Sequence, residues 1–338
     1  MKRIIVKGTN WIGDVLLSLP AVYSLKHVFP DATIDIALKR PLGDLLRGVK
    51  EIDSVLDYDD TLSGELSLVC GMRNVRHDLG IIFPRSLHSA LLVYLGGARR
   101  RIGYAADARS LFLTDRVART PEIRATHQSQ YYRHIVSVLG EPGPLTIPRI
   151  APDADADAWA NDFLRAGGYE RGPLFGINPG AAYGGAKRWR PDRFAAVADR
   201  LVGKFGGHAV IMGGQMDRGI EAEVAGFMKS GPIRAAGATT IRRLISLINR
   251  CTLFITNDSG PMHIAAALSA PVVAVFGPTN PDTTSPMGRA AVVWHEFECS
   301  RCLLRTCPID HRCMESVTAD EVYDAAIKLL SEGGGATG

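Results

Sequence analysis

One carboxylate, Asp14, heads a helical stretch in "KGTNWIGDVLLSLP" (residues 7–20), directly after the apolar run "RIIV". A glycine-containing turn between strand and helix commonly holds a phosphate. Here the turn delivers an acid, and helix capping is one reading of it. A second chemical signal is "FITNDSGPMHIAAAL" followed by "PVVAVFGPTNP". Asn257, Asp258 and Ser259 are all good caps for the helix that follows. Gly260 lets a ligand approach the backbone, and the N–H groups and positive dipole end would face an anion, most naturally a diphosphate. His263 falls on the first turn, close enough to donate to a phosphate oxygen. A capped helix with His263 satisfied in the core is the plainer reading. A third signal is "NPGAAYGGAKRWRPDRF", where glycines precede Lys187 and Arg188. The pair could clamp a leaving diphosphate, or simply belong to a solvated loop.

Other patterns carry less. "DADAD" (Asp153 to Asp157) contains an Asp-x-Asp pair, but its place before "AWANDFL" reads as helix N-capping, and no metal is assigned to it. After the first strand, "GTNWIGD" spaces its glycines wrongly for a dinucleotide fingerprint. Cys299, Cys302, Cys307 and Cys313 form C-x2-C-x4-C-x5-C with His311 nearby. Four thiolates could bind a structural zinc, although the long interval usual between ligand pairs is missing. A structural metal, a paired-thiol staple and inert packing all fit that spacing.

The elements that must position these residues alternate short β-branched runs with longer amphipathic segments, which predicts an α/β chain with parallel sheets. Strands are expected at "RIIVKG", "TIDIALK", "DLGIIFP", "PLFGINPG", "HAVIMGG", "LFITND" and "PVVAVFGP". Helices are expected from Asp14 to His27, from Ser86 to Leu95, and over "RPDRFAAVADRLVGKFG", "IRRLISLINRC", "PMHIAAALS" and "TADEVYDAAIKLLSE". Residues 57–72 and 99–111 read as loops, and the "GGGATG" tail as mobile. The Pro- and Gly-rich stretch "EPGPLTIPRIAPD" (141–153) reads as a linker, placing domains at 1–152 and 153–338. Two such halves would bind ligands at the carboxyl ends of their strands.

The 338 residues suit two cores. Apolar residues at 46% and charged residues at 22% are ordinary for a globular protein. No apolar run approaches the roughly 20 residues that span a bilayer, and the start lacks a signal-peptide pattern. A cytoplasmic protein is therefore expected. The net charge of +4 lies in residues 1–150, where Lys and Arg exceed Asp and Glu by five; the remainder is one short. That excess is small enough to be scattered solvated arginines, but it makes the first half the better place for an acidic partner or an anionic membrane surface. The dense "ARRR" cluster lacks the interleaved aromatics of a nucleic-acid binder.

With these residues in view, the chain resembles the heptosyltransferases of glycosyltransferase family 9 over nearly its whole length. The anchors are "GTNWIGDVLLSLP", "FPRSLHSALL", "NPGAAYGGAKRWRPDRFA" and "TNDSGPMHIAAALSAPVVAVFGPTNP", in that order. "CSRCLLRTCPIDHRCM" resembles a segment found in some members only. The resemblance implies a GT-B architecture, two Rossmann-like domains facing across a cleft, acceptor on the first and nucleotide sugar on the second. It also implies that the final helix (about 318–331) packs back on the first domain. The implied donor is ADP-L-glycero-β-D-manno-heptose. The implied acceptor is the heptosylated Kdo–lipid A inner core at the cytoplasmic face of the inner membrane, so the enzyme would be soluble or peripheral.

By the same resemblance Asp14 is the general base, and Lys187 stabilises the leaving ADP with the backbone at Asp258, Ser259 and Gly260 and with His263. Thr9, Asn10, Gly13 and Arg188 would assist on the donor side, and Arg85 and Ser86 on the acceptor side. No catalytic cofactor is implied. Three rivals stand beside this reading: a family member with another acceptor (type I or III), a nucleotide-sugar epimerase of similar fold, and a non-catalytic sugar-nucleotide binder.

Overall fold

The computed structural model describes residues 2–333, and the tail expected to be mobile lies outside them apart from Gly333. The chain divides into two compact units, Met1–Ala151 and Pro152–Gly338. The first contains β1 (Arg3–Lys7), α1 (Ile12–Val28), β2 (Thr33–Lys39), β3 (Ser54–Tyr58), α2 (Leu62–Val75) and β4 (Leu79–Ile82). It continues with α3 (Leu87–Leu95), β5 (Arg100–Tyr104), β6 (Asp115–Val117), α4 (Pro121–Ala125) and α5 (Gln128–Ser137). All neighbouring strands pair in parallel in the order β3-β2-β1-β4-β5-β6. β1 is central, and β2 and β4 leave it in opposite directions. Strands buried on both faces must be apolar throughout; Ile4, Ile5, Val6, Ile81 and Ile82 are accordingly inaccessible to solvent.

The second unit contains α6 (Ala154–Ala166), β7 (Leu174–Asn178), α7 (Pro191–Phe205), β8 (His208–Ile211), α8 (Arg218–Phe227), β9 (Ile233–Arg234) and α9 (Ile241–Asn249). It closes with β10 (Leu253–Asn257), α10 (Gly260–Ala267), β11 (Val272–Val275), α11 (Pro281–Thr284), β12 (Ala290–Val293), α12 (Arg312–Glu315) and α13 (Ala319–Gly333). Its parallel order is β12-β11-β10-β7-β8-β9. Both units are therefore Rossmann-like, and the α/β alternation in the sequence predicted this class. In each sheet the order reverses once, between β1 and β4 and between β7 and β10. Open α/β sheets bind ligands beyond the carboxyl ends of the strands at that reversal.

Two expectations need correction here. The stretch 57–72 is not all loop: Thr61 caps α2 by accepting from the Gly64 N–H at 3.2 Å, and the helix buries Leu68, Val69 and Met72. Likewise 99–111 contributes β5. The closing helix buries Val322, Ala326 and Leu329 in the second unit's core beside Phe175, Phe194 and Val275. Asp153 does cap α6, accepting from the Ala156 N–H at 3.0 Å.

Candidate active site

In the first unit the chain leaves β1 at Lys7 and enters α1 through Gly8 to Trp11. Trp11 is the N-cap and makes no side-chain cap, so Asp14, in the first turn, is not the cap that its position allows. Its Oδ1 instead accepts from the Tyr132 hydroxyl at 2.9 Å. Tyr132 arrives from α5 and is buried; burial and the Asp14 charge hold its phenol well above the usual range, so it remains a donor. Beyond β4, the Pro84 carbonyl accepts from Nη1 of buried Arg109 at 2.6 Å, which fixes the turn that presents Arg85. Burial lowers that guanidinium to about 10, still charged at neutral pH.

These turns enclose a cavity of about 460 Å³ lined by Thr9, Asn10, Asp14, Arg85 and Ser86, together with Arg119, Arg124 and Gln128. Three arginines facing one carboxylate suit an anionic ligand that brings a hydroxyl to Asp14. Ser86 also caps α3 through its hydroxyl, which accepts from the Ser89 N–H at 3.2 Å. Gly13 precedes Asp14 in the same turn and is not a lining residue. Sequence reasoning missed Arg119, Arg124, Gln128 and Tyr132. The run "RVARTPEIR", with a Thr-Pro helix start, was the available signal for the two arginines; Tyr132 lies 118 residues from Asp14 and had none.

Lys7, at the end of β1, is 1% exposed. Its Nζ donates to the Gly8 carbonyl at 2.8 Å and lies 5.4 Å from the centre of the Tyr58 ring. Burial, with Lys39 adding to it, lowers the ammonium from its ordinary 10.5 to about 7. Between those two values the unfolded chain binds the extra proton and the native chain does not. Stability therefore rises with pH across that window, approaching about 1.4 kcal/mol per pH unit. Lys7→Met is expected to flatten this slope in urea midpoints measured over the same range; an unchanged slope would assign it to another group.

In the second unit, β7 and β10 end side by side on Asn178 and Asn257. The residues that read as helix caps are spent between the two loops. Asn257 accepts the Trp189 N–H at 3.0 Å and donates to the Pro179 carbonyl at 2.7 Å. Asn178 donates to the Thr256 and Ser259 hydroxyls, each at 3.2 Å. Asp258 Oδ2 takes Lys187 Nζ at 2.6 Å and the Thr279 hydroxyl at 2.5 Å, and its own N–H is bonded to the Val275 carbonyl at 2.9 Å. The Asp258 N–H is thus not available to a ligand, which leaves those of Ser259 and Gly260. Ser259 is the N-cap of α10 and makes no side-chain cap, so this helix start remains suited to an anion.

Lys187 and Asp258 are brought together, with His263 buried on α10. Arg188 turns instead toward Asp217, at 3.6 Å. Thr279 and Tyr183, whose ring centre lies 5.0 Å from Lys187 Nζ, were quoted in the sequence motifs but given no role.

The cysteines form no staple, since all six are free thiols. Among the described residues no group of three or more His, Cys, Asp or Glu is placed to hold a metal ion, so the tetrahedral zinc reading gains no geometric support. Burial, reinforced by Cys299, Cys307 and Cys302, pushes the Cys313 thiol up to about 11. Among the described residues no helix is long and apolar enough to cross a membrane.

The sequence profile described as "Glycosyltransferase family 9 (heptosyltransferase)" matches residues 66–312. Lipopolysaccharide heptosyltransferase 2 of Escherichia coli is 31% identical, across 86% of this chain and 87% of the relative. Its counterpart from Salmonella typhimurium is 29% identical across 98% and 99%. The solved structure of E. coli ADP-heptose LPS heptosyltransferase II superposes with a TM-score of 0.83 at 25% identity, covering 99% of this chain and 100% of that one.

Proposed function

Because the chain belongs to glycosyltransferase family 9, we propose that it moves heptose from ADP-L-glycero-D-manno-heptose to the heptosylated Kdo–lipid A inner core of lipopolysaccharide, inverting the anomeric centre. The observation that carries this reading is Asp14, oriented by Tyr132 in a cavity otherwise rich in arginine. Asp14 accepts the proton of the acceptor hydroxyl as that oxygen bonds to the anomeric carbon. The bond from that carbon to the diphosphate breaks on the opposite face, through an oxocarbenium-like state, and ADP leaves with the electron pair. Lys187, the N–H groups of Ser259 and Gly260, and His263 meet the charge that develops on the diphosphate; fixed donors of this kind are often the largest catalytic contribution. Arg85, Arg119 and Arg124 hold an anionic group of the acceptor, and Thr9 and Asn10, which the resemblance assigns to the donor, line the same cavity as Asp14. The reaction so written needs no metal or cofactor. An acceptor anchored in a bilayer would bring the enzyme to the inner-membrane surface.

The test is turnover of ADP-heptose by the purified protein with inner-core acceptors that carry or lack the first heptose. Transfer to the heptosylated acceptor alone is expected. Transfer only to the acceptor lacking it would move the assignment to type I. Stabilisation by UDP but not ADP would favour an epimerase-like site, because a ligand that binds the native state raises the melting temperature.

A further inference from the structure

The cysteine-rich segment, residues 299–313, takes no part in the chemistry above, yet its backbone is unusual. Arg301, Leu303 and His311 have φ of 62°, 55° and 56°, and among the described residues only Arg76 and Ser269 are other non-glycine residues in that region. Side chains avoid it, and such conformations persist where the surroundings hold them. What holds this one is the loop that carries Lys187. The Tyr183 hydroxyl donates to the Leu303 carbonyl at 2.6 Å. The Ala186 N–H donates to the Arg305 carbonyl at 3.0 Å, and the Ala186 carbonyl faces His311 Nε2 at 2.7 Å. A carbonyl can only accept, so Nε2 carries the proton.

Both polar groups of the residue before Lys187 are therefore tied to this segment. At Gly184 a Cβ would lie 2.3 Å from the Arg305 carbonyl oxygen, so only glycine admits the strap. The Arg305 guanidinium and Lys187 Nζ share the Tyr183 ring, at 5.4 Å and 5.0 Å from its centre. The Leu303 N–H also reaches the Pro278 carbonyl at 3.0 Å, next to the Thr279 that donates to Asp258.

We infer that residues 299–313 are a strap that sets the position of Lys187, with His311 as the positioning residue that fastens it through the Ala186 carbonyl. This rests on Lys187 acting on the donor diphosphate. A strap of this kind acts on donor affinity and on the donor step while leaving acceptor binding alone. Misplacing a catalytic group by about an ångström costs up to roughly 10²-fold.

The test compares His311→Asn, which tolerates a left-handed backbone but is too short to reach Ala186, with His311→Gln, whose amide can reach as Nε2 does. Gly184→Ala pushes the strap away by a second route. His311→Asn is expected to raise the ADP-heptose KM and the ADP dissociation constant about tenfold. Its acceptor KM and melting temperature should stay near wild type, and His311→Gln should recover most of the loss. Gly184→Ala should show the same donor-side signature. Donor and acceptor KM rising together, a change in melting temperature alone, or no rescue by Gln would overturn the strap. Lys187→Met with unchanged donor kinetics would overturn the donor reading, and the strap with it. Loss on Lys187→Met with no effect of His311→Asn or Gly184→Ala would overturn the strap alone.

Discussion

Asp14→Asn is expected to lower kcat by about 10²–10⁴, the range of a positioned general base, while ADP binds as in wild type. The substitution keeps the size of the side chain and a hydrogen-bonding oxygen for Tyr132, and removes the negative charge and with it the ability to take a proton. Tyr132 lets the argument be checked from the other side. Its hydroxyl is held by burial and donates to Asp14 at 2.9 Å, so Tyr132→Phe removes one charge-assisted hydrogen bond, worth roughly 1.5–3 kcal/mol. A loss of about 10- to 10²-fold should follow, smaller than that of Asp14→Asn, because the carboxylate stays. Retention of kcat within tenfold in Asp14→Asn would sink the base assignment. Equal losses in the two variants would instead put the tyrosine in the proton path.

Lys187→Met should fail in two ways that can be separated. The Lys187 and Asp258 side chains are 13% and 6% exposed. Removing the ammonium leaves the buried Asp258 carboxylate with the Thr279 hydroxyl as its remaining side-chain donor among the described residues. Breaking a buried pair from one side costs about 3–5 kcal/mol, visible as a lower urea midpoint. Donor turnover should fall by about 10²–10³ as well, the scale of one lost oxyanion donor. The Lys187→Met, Asp258→Asn double variant removes the stranded charge. It is expected to regain most of the stability and none of the turnover. Recovery of both would mean that the lysine serves the fold and not the reaction.

The two sheets were legible because their central strands are buried on both faces, and runs such as "RIIV", "LFGIN" and "VVAV" can hardly be anything else. The peripheral elements were not. β5 begins in the basic cluster 99–101, which looks solvated. In the structure Arg100 pairs with Asp115 at 2.7 Å, and Arg101 donates to the Ala98 and Phe112 carbonyls, also at 2.7 Å each. α2 leaves Leu62 and Leu66 exposed, so its buried stripe of Leu68, Val69 and Met72 is too thin to show as a period. In the site, residue type was a good guide to place and a poor one to partner. Asn257, Asp258 and Ser259 do sit at the start of α10, but their side chains bind across to the β7 loop and to Thr279 and not to the helix. Cap residues make whichever hydrogen bond tertiary structure brings nearest. Contacts made over a long chain separation, Tyr132 on Asp14 and His311 on Ala186, leave no trace in local spacing.

The closing helix has a consequence for how the protein is made. Val317, just before α13, takes the indole N–H of Trp189 at 2.9 Å and the guanidinium of Arg193 through its carbonyl. Val322, Ala326 and Leu329 then complete the core around β7 and β11. During synthesis the first unit can fold once its last strand and helices clear the ribosome, as domains generally do in N-to-C order. The second unit cannot. Its sheet must wait, with an apolar face uncovered, until residues 317–329 have emerged, and in that interval it is the part of the nascent chain that chaperones would hold and proteases would cut.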